Sequence, residues 1–290
     1  MSDEPGTRNV RPATAAERSD PRAMHAANRA AWDEAAERYD GWFDEAVELI
    51  RSGGSNLFPV EHDLLGDLRN GPDGHGTGRA IHLQCAGGRD TLSLWNLGAR
   101  EVIGVDISPR MLALAERLTA ATGAPARWIE ADVLDTPHEL DGTADLVYTG
   151  RGAIIWLQDL DAWAAVLRRL LSPTGRLVIF DGHPVEWLFD ADEEGRWVAT
   201  DYDYFGGPEA SKGWAPEYID HLSIAEDDQS WKFARAWTLG EIVTALLRAG
   251  LRLEAVTEHP VDWWSGHRDV RPELRGRVPL SFSVTATRGD

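Results

Sequence analysis

The chain has 290 residues and a formal net charge of −19, and 43% of its residues are hydrophobic. This length suffices for one large α/β domain or for a core domain with an inserted lobe. The negative charge argues against nucleic acid and anionic membranes as partners, because an acidic surface repels both. A neutral or cationic small-molecule substrate suits this charge better, although acidity also serves solubility alone.

Cysteine content and hydropathy predict a cytoplasmic protein. Cys85 is the only cysteine, so no internal disulfide is expected. No stretch approaches the roughly 18 apolar residues of a membrane span. The N-terminus is polar and lacks an apolar signal core. We therefore expect a cytoplasmic monomer or homodimer, and we identify no metal-ligand motif.

The N-terminal part predicts a tail followed by helices. Residues 1–23 contain little to bury, and we expect them to be mobile. Residues 24–78 are expected to form an N-terminal helical cap, in which Trp32 and Tyr39 fall on one helix face and Gly41 interrupts the pattern. Four glycines and a proline between Asn70 and Gly78 predict a loop.

From residue 79 the pattern changes to strands that alternate with helices. Residues 79–183 are expected to form a cofactor-binding core, residues 184–237 an insertion without a clear period, and residues 238–290 the rest of the core. Alternation of this kind predicts parallel strands joined by right-handed crossovers, and therefore a doubly wound α/β sheet. The strands are expected over 80–83, 102–105, 126–130, 144–148, 176–180, 251–257 and 280–287.

The strand ends carry the residues that predict a ligand site, because an open parallel sheet binds ligands at the carboxyl ends of its strands. The first strand is followed by Gln84-Cys85-Ala86-Gly87-Gly88. Small residues there let the backbone approach a ligand closely, and the next helix offers free N–H groups.

The next strand ends favour a nucleoside. Asp106 follows the second strand, where its carboxylate can accept both ribose hydroxyls, and Ile107 can cover one face of adenine. After the third strand, Asp132 can accept from the adenine amino group and the Val133 N–H can donate to a ring nitrogen. Asp106 lies roughly 20 residues beyond the glycines, as nucleoside binding in this fold requires.

These motifs resemble those of class I S-adenosylmethionine-dependent methyltransferases. The resemblance covers about Ala80 to Phe180 well and extends more loosely to the C-terminus. It implies a Rossmann-like seven-stranded sheet of order 3-2-1-4-5-7-6, with strand 7 antiparallel, and S-adenosyl-L-methionine as cofactor. It also implies cofactor contacts from Met111 and from Thr149, in the loop after the fourth strand.

The first motif departs from the family pattern. His82 takes the position of the usual acidic residue, Gln84 and Ala86 take the first two glycine positions, and only Gly88 remains. These departures resemble a bacterial branch of small-molecule methyltransferases. The Gln84 amide can then supply a polar contact near the methionine amino group. In this family an N-terminal helix often folds over the cofactor, so Trp32 and Tyr39 either contact it or simply pack this helix onto the core.

Two histidines are candidate general bases, although methyl transfer needs a base only when the acceptor must lose a proton. His183 follows the fifth strand and His259 the sixth, each directly before a proline, and either can instead serve only to hold a turn. Arg151 is a candidate for binding a substrate carboxylate.

The insertion is expected to form a substrate lid. Its aromatic side chains suit flat, apolar or cationic ligands, although they can equally build a small satellite core. The candidate substrate contacts, besides Arg151, are Trp187, Tyr202, Tyr204 and Trp237.

The sequence therefore predicts a methyltransferase that acts on a small aromatic or heteroaromatic metabolite, with the acceptor atom open and a role in natural-product biosynthesis. One alternative is an NAD(P)-dependent oxidoreductase on a related fold, which requires Gly-x-Gly-x-x-Gly after the first strand. Another is a non-catalytic S-adenosylmethionine-binding protein.

Overall fold

The computed structural model describes residues 9–70, 76–215, 218–264 and 266–289. The N-terminal elements are β1 (Val10–Pro12), α1 (Ala15–Arg18), α2 (Pro21–Gly41), α3 (Phe43–Arg51) and α4 (Pro59–Leu65). The alternating part contains β2 (Arg79–Leu83), α5 (Arg89–Asn96), β3 (Glu101–Asp106), α6 (Pro109–Thr122), β4 (Ala126–Glu130), β5 (Ala144–Gly150), α7 (Leu160–Leu170) and β6 (Leu171–Gly182). The remaining elements are β7 (Phe189–Ala191), β8 (Trp197–Ala199), β9 (Glu209–Ser211), β10 (Lys232–Ala234), α8 (Leu239–Arg248), β11 (Arg252–His259), α9 (Pro272–Arg275) and β12 (Ser281–Thr287).

Seven of these strands form one sheet of order β11-β12-β6-β5-β2-β3-β4. Strands β2 to β6 pair in parallel, whereas β12 runs antiparallel to both β6 and β11. In order of appearance this is the predicted 3-2-1-4-5-7-6 arrangement with a reversed last strand, so the predicted fold is confirmed. The strand order runs from β2 to β3 and β4 on one side and from β5 to β6 on the other, so the switch point, where such sheets bind ligands, lies between β2 and β5.

The helices cover both faces of this sheet. On one face, Ile81, Ile103 and Val147 pack with α7 and α8, around the fully buried Trp163. On the other, Ala80, Val102 and Leu146 pack with α3, α4 and α5. Strands buried on both faces explain the continuous apolar runs in β2, β3 and β5.

The prediction of a mobile tail needs correction for residues 10–22. Strand β1 pairs antiparallel with β9 of the insertion, which also pairs with β10. A capping box joins Thr14 and Glu17 at the start of α1, and Asp20 caps α2 with Pro21 in its first position. The pairing partner lies almost 200 residues away, which is why the local sequence did not indicate order. Residues 1–8 lie outside the described residues.

The predicted loop between Asn70 and Gly78 is described only in part, because residues 71–75 lie outside the described ranges. In the part of the chain that the structure describes, no helix combines the length and the apolar character that crossing a membrane requires.

Candidate cofactor site

A cavity of about 270 Å³ lies at the carboxyl ends of β2, β3, β4 and β5. Twelve of the predicted site residues line it, and they come from all four strand ends and from α2. They are Trp32, Tyr39, Gln84, Cys85, Ala86, Gly87, Gly88, Asp106, Ile107, Asp132, Val133 and Arg151.

The loop after β2 has the backbone of a glycine-rich turn with two glycines replaced. Gln84, Ala86 and Gly88 have φ values of 58°, 44° and 79°, all in the left-handed region. These are the three alternating positions that carry glycine in the resembling family. Non-glycine residues held there store backbone strain, and such strain is concentrated at functional sites.

Gly88 is the position where a side chain has no room. A Cβ there would lie 2.5 Å from Trp128 Cη2 and 2.8 Å from Ala115 Cβ. We expect Gly88→Ala to lower the free energy of unfolding by about 1–3 kcal/mol, measured by urea denaturation. At the adjacent Gly87 a Cβ would lie 3.4 Å from Tyr39 Cδ1. We therefore expect Gly87→Ala to cost less than about 1 kcal/mol, and equal losses for the two variants would contradict this explanation.

Asp106 fixes the geometry between the loop after β2 and the start of α6. Its carboxylate accepts hydrogen bonds from the backbone N–H of Ala86 at 2.8 Å and of Ser108 at 2.9 Å. Burial raises the pKa of Asp106 to about 6, against the opposing effect of these N–H groups. The carboxylate lines the cavity, where it can still accept from a ligand.

Asp132 is held by α2, a partner that the sequence did not indicate. Its Oδ2 lies 2.7 Å from His25 Nδ1 and 2.9 Å from Arg22 Nη1. His25 Nε2 accepts from the backbone N–H of Gln158, so Nδ1 carries the proton and donates to Asp132. These two contacts fix the orientation of the imidazole.

Further contacts fasten α2 along the ends of β3 and β4. Arg22 pairs with Asp135 at 2.7 Å, Arg29 pairs with Glu130 at 2.6 Å, and Ser108 Oγ donates to Asp33 at 2.6 Å. This helix forms one wall of the cavity, as the resemblance implied for an N-terminal helix.

Aromatic side chains close the cavity opposite the sheet. Trp32 packs edge-on against Tyr39, Trp156, Trp214 and Tyr218, with ring centroids 5.0–6.3 Å apart. Tyr39 and Tyr218 bring their hydroxyls within 3.5 Å of each other, and burial raises the pKa of Tyr39 to about 12. We call α2, Trp214 and Tyr218 the cover.

Arg151 lies at the β5 end of the cavity in a buried network of charges. Its Nη1 lies 2.6 Å from Glu61 Oε2, and its Nε lies 3.1 Å from Asp90 Oδ2. Tyr148 donates its hydroxyl to the other oxygen of Glu61, and the Phe58 ring lies 4.2 Å from the guanidinium carbon. Burial favours the neutral form of Arg151. The charges of Asp90 and Glu61 outweigh this effect of burial and raise the pKa of Arg151 above its usual value. Arg151 thus reaches the cavity as part of an ion-pair network with Glu61 and Asp90, and its contact with a substrate carboxylate stays a prediction.

His82, at the position of the family's usual acid, is not a charged group. It is buried, its Nδ1 lies 2.8 Å from Thr91 Oγ1, and burial lowers its pKa to about 4. Gln84 donates to the Ala153 carbonyl at 2.9 Å, while its buried Oε1 has no hydrogen-bond partner among the described residues.

The structure does not bring the two candidate bases to the cavity. His183 Nδ1 accepts from the Val185 N–H, and Nε2 lies 3.0 Å from Glu258 Oε1 without the alignment of a hydrogen bond. His259 Nε2 lies 2.9 Å from Ser283 Oγ. Both rings therefore serve contacts around β12, and neither lines the cavity.

The predicted substrate contacts of the insertion also lie elsewhere. Trp187 packs on Tyr202, whose hydroxyl accepts from the Ala236 N–H. Tyr204 packs on the exposed Phe205, and Trp237 donates to the Leu157 carbonyl. Trp237 also packs against the main core, and none of the four side chains lines the cavity.

Two predicted cofactor residues lie behind the cavity lining. Met111 is fully buried between α6 and α2, where it packs against Ala35 and Ala36. Thr149 is buried within β5, and its hydroxyl lacks a hydrogen-bond partner in the described part of the chain. Met111 thus packs α6 against α2 and does not line the cavity.

Sequence reasoning missed several residues that line the cavity. Their chain positions are far apart, and no local period or motif indicated that they would meet. They include His25, Asn28, Asn56, Asp90, Trp156, Tyr218 and Trp264.

The sheet order is that of the class I methyltransferase fold, with the cavity at the carboxyl ends of its strands. Residues 80–175 match a family model described as "Methyltransferase domain". This match confirms the resemblance inferred from the motifs.

A demethylmenaquinone methyltransferase of Thermus thermophilus is 39% identical over 84 residues, which are 29% of this chain. The match spans only 37% of the length of that relative. It thus supports the shared domain and does not extend over the whole protein.

Solved structures share the whole sheet at low identity. An S-adenosylmethionine-dependent methyltransferase from Mesorhizobium loti is 24% identical with a TM-score of 0.53, over 79% of this chain and 95% of that one. A protein described as a putative S-adenosylmethionine-dependent methyltransferase from Listeria monocytogenes is 20% identical with a TM-score of 0.56, over 80% and 97%. At this identity the likeness establishes the fold.

Proposed function

We propose that the protein is a cytoplasmic S-adenosylmethionine-dependent methyltransferase that acts on a small aromatic or heteroaromatic acceptor, as in natural-product biosynthesis. The nitrogen, oxygen or carbon nature of the acceptor atom stays open. The buried free thiol of Cys85 is compatible with a reducing compartment.

The observation that carries the proposal is the row of polar groups along one sheet edge. Asp132, Asp106, the loop after β2 and Arg151 follow the ends of β4, β3, β2 and β5, which are neighbours in that order. Three strand spacings of about 4.8 Å span about 14 Å. A cavity of this extent suits an elongated ligand with a nucleoside at one end and a charged group at the other.

The residues present fit the cofactor. We assign the ribose hydroxyls to the Asp106 carboxylate, one adenine face to Ile107, and the adenine edge to Asp132 and the Val133 N–H. The buried Gln84 Oε1, unpaired among the described residues, offers an acceptor to a ligand donor from the cavity floor. A buried acceptor without a partner costs free energy that such a ligand would recover.

Methyl transfer mainly requires that the two reactants are positioned and that water is excluded. When bound, the cofactor supplies an activated methyl group for in-line transfer. The protein's residues hold both partners in line, and the aromatic cover keeps water out of the cavity. Because the two candidate histidines lie outside the lining, we assign neither of them the role of a general base.

The aromatic lining supports the acceptor class. Trp32, Tyr39, Trp156 and Tyr218 all face the cavity and present ring edges and faces to its contents. Flat acceptors gain area and ring contacts there. We place the acceptor against the cover, which lies opposite the strand ends.

Isothermal titration calorimetry of the full-length protein tests the proposal. We expect S-adenosylhomocysteine to bind and NAD and NADP not to bind. Binding of NAD(P) alone would overturn the cofactor assignment. A panel of aromatic amines and phenols, assayed for the formation of S-adenosylhomocysteine from S-adenosylmethionine, then tests catalysis. Cofactor binding without turnover of any acceptor in the panel would favour a non-catalytic role.

A further inference from the structure

We propose that the ion pair of Asp90 and Arg151 is the binding site for a zwitterionic α-amino acid group, namely the methionine end of the cofactor. This inference rests on the proposed function. It assigns the ammonium group to the Asp90 carboxylate and the ligand carboxylate to the Arg151 guanidinium. Neither assignment follows from the motifs, which place a neutral histidine at the usual acidic position.

Both side chains face the cavity with unused hydrogen-bonding capacity. Asp90 and Arg151 line the cavity and keep 20% and 13% of their side-chain surface accessible, whereas Glu61 behind them is fully buried. Asp90 Oδ1 accepts from Asn56 Nδ2 at 2.5 Å, and Oδ2 lies 3.1 Å from Arg151 Nε in an ion pair. A carboxylate oxygen accepts about two hydrogen bonds, so each retains one site.

The arginine offers a matching donor. Nη1 and Nε are engaged by Glu61 and Asp90, and Nη2 makes no hydrogen bond within the described ranges of the chain. Nη2 is therefore available to a ligand carboxylate. The acceptor and donor sites lie side by side, as the ammonium and carboxylate of an α-amino acid do, separated by one carbon.

The charge state of Asp90 suits an ammonium ligand. Burial opposes its charged form, but the Arg151 guanidinium, the hydrogen bond from Asn56 and other nearby groups together outweigh burial and lower the pKa of Asp90. Asp90 also lies in the first turn of α5, where the helix dipole favours a negative charge. Excess positive charge would repel an ammonium group. The Glu61 and Asp90 carboxylates together compensate the Arg151 guanidinium, so the cluster carries no such excess.

The position along the cavity is also right. Arg151 follows β5, at the opposite end of the row from Asp132 after β4, with Asp106 between them. A ligand whose nucleoside lies at β3 and β4 therefore extends its other end toward Asp90 and Arg151. The Gln84 Oε1 atom lies on this path, in the same lining.

The test compares two ligands that differ in the amino acid group. S-adenosylhomocysteine carries it, whereas 5′-methylthioadenosine has the same nucleoside and sulfur without it. We expect Asp90→Asn in the full-length protein to weaken S-adenosylhomocysteine binding by about 10- to 100-fold, measured by calorimetry, because it removes a charge-assisted hydrogen bond. Binding of 5′-methylthioadenosine should change less than about twofold, which also shows that the variant site is folded.

Asp141→Asn is the matched control, because Asp141 is likewise paired with an arginine, Arg169, but lies outside the cavity. It should leave both affinities unchanged. Equal weakening of both ligands by Asp90→Asn, or no change in either, would overturn the inference while the proposed cofactor stands. If the wild-type protein binds neither ligand, the proposed function fails together with the inference.

Discussion

Replacing Glu61 by alanine is expected to lower the free energy of unfolding by about 3–5 kcal/mol, the cost of removing one partner from a buried ion pair. Glu61 is fully buried and accepts from both Arg151 and Tyr148. Its loss leaves a phenol hydroxyl without its partner and an arginine with one carboxylate fewer. Urea denaturation followed by circular dichroism measures the change.

Glu101→Ala provides the comparison, because Glu101 pairs with Arg79 at 2.9 Å on the surface with 44% of its side chain accessible. An exposed pair of this kind contributes about 0–1 kcal/mol. Glu61→Gln keeps the side-chain volume and one acceptor, so its loss in the free energy of unfolding should lie between those of Glu61→Ala and Glu101→Ala. If Glu61→Ala lowers the free energy of unfolding no more than Glu101→Ala does, the buried network does not stabilise the fold.

Replacing Asp106 by asparagine is expected to weaken S-adenosylhomocysteine binding by about 10- to 100-fold, because one charged acceptor for the ribose is lost. The amide nitrogen also cannot accept from one of the two backbone N–H groups that the carboxylate holds. Since 5′-methylthioadenosine contains the same ribose, it should weaken equally, in contrast to the effect expected for Asp90→Asn.

The pH dependence has a defined sign. The pKa of Asp106 is raised to about 6 by burial, so lowering the pH from 7 to 5 protonates the carboxylate and removes the acceptor. Affinity of the wild-type protein should therefore fall below pH 6, by up to about tenfold per pH unit, and binding there should release a proton. Asp106→Asn should lose this dependence.

Asp145→Asn is a suitable control for this experiment. Asp145 also accepts from two backbone N–H groups, those of Gly78 and Arg79, but it lies away from the cavity. It should leave both the affinity at pH 7 and the slope below pH 6 unchanged. A wild-type affinity that stays constant from pH 7 to 5 would contradict the role given to Asp106.

The floor of the site, which is the set of strand ends after β2, β3, β4 and β5, was predictable because local sequence patterns indicate it. Strand period, the glycine-rich turn and the acidic residue that follows each strand lie within short stretches, and the sheet topology alone brings Asp106 and Asp132 to one edge. The same reasoning placed Arg151 at this edge, although its partners changed the interpretation of its role. Glu61 lies 90 residues earlier, on α4, where nothing marked it as a partner.

The cover was not predictable in detail. Aromatic residues are abundant throughout the insertion, and the ones chosen from the sequence, Trp187 and Tyr202 among them, pack on each other instead. Tyr218 lines the cavity and lies between β9 and β10 in the chain, and β9 pairs with both β10 and β1. Such pairing between distant segments leaves no period in the local sequence.

The division between floor and cover separates two kinds of evolutionary change. The matched segment, residues 80–175, supplies the strand ends, whereas α2, Tyr218 and Trp264 come from outside it. Substitutions in those outer segments can reshape the wall that faces an acceptor while the strand-end carboxylates stay in place. Acceptor preference can then diverge among relatives that keep one common cofactor, and a shared domain alone does not transfer a substrate from one relative to another.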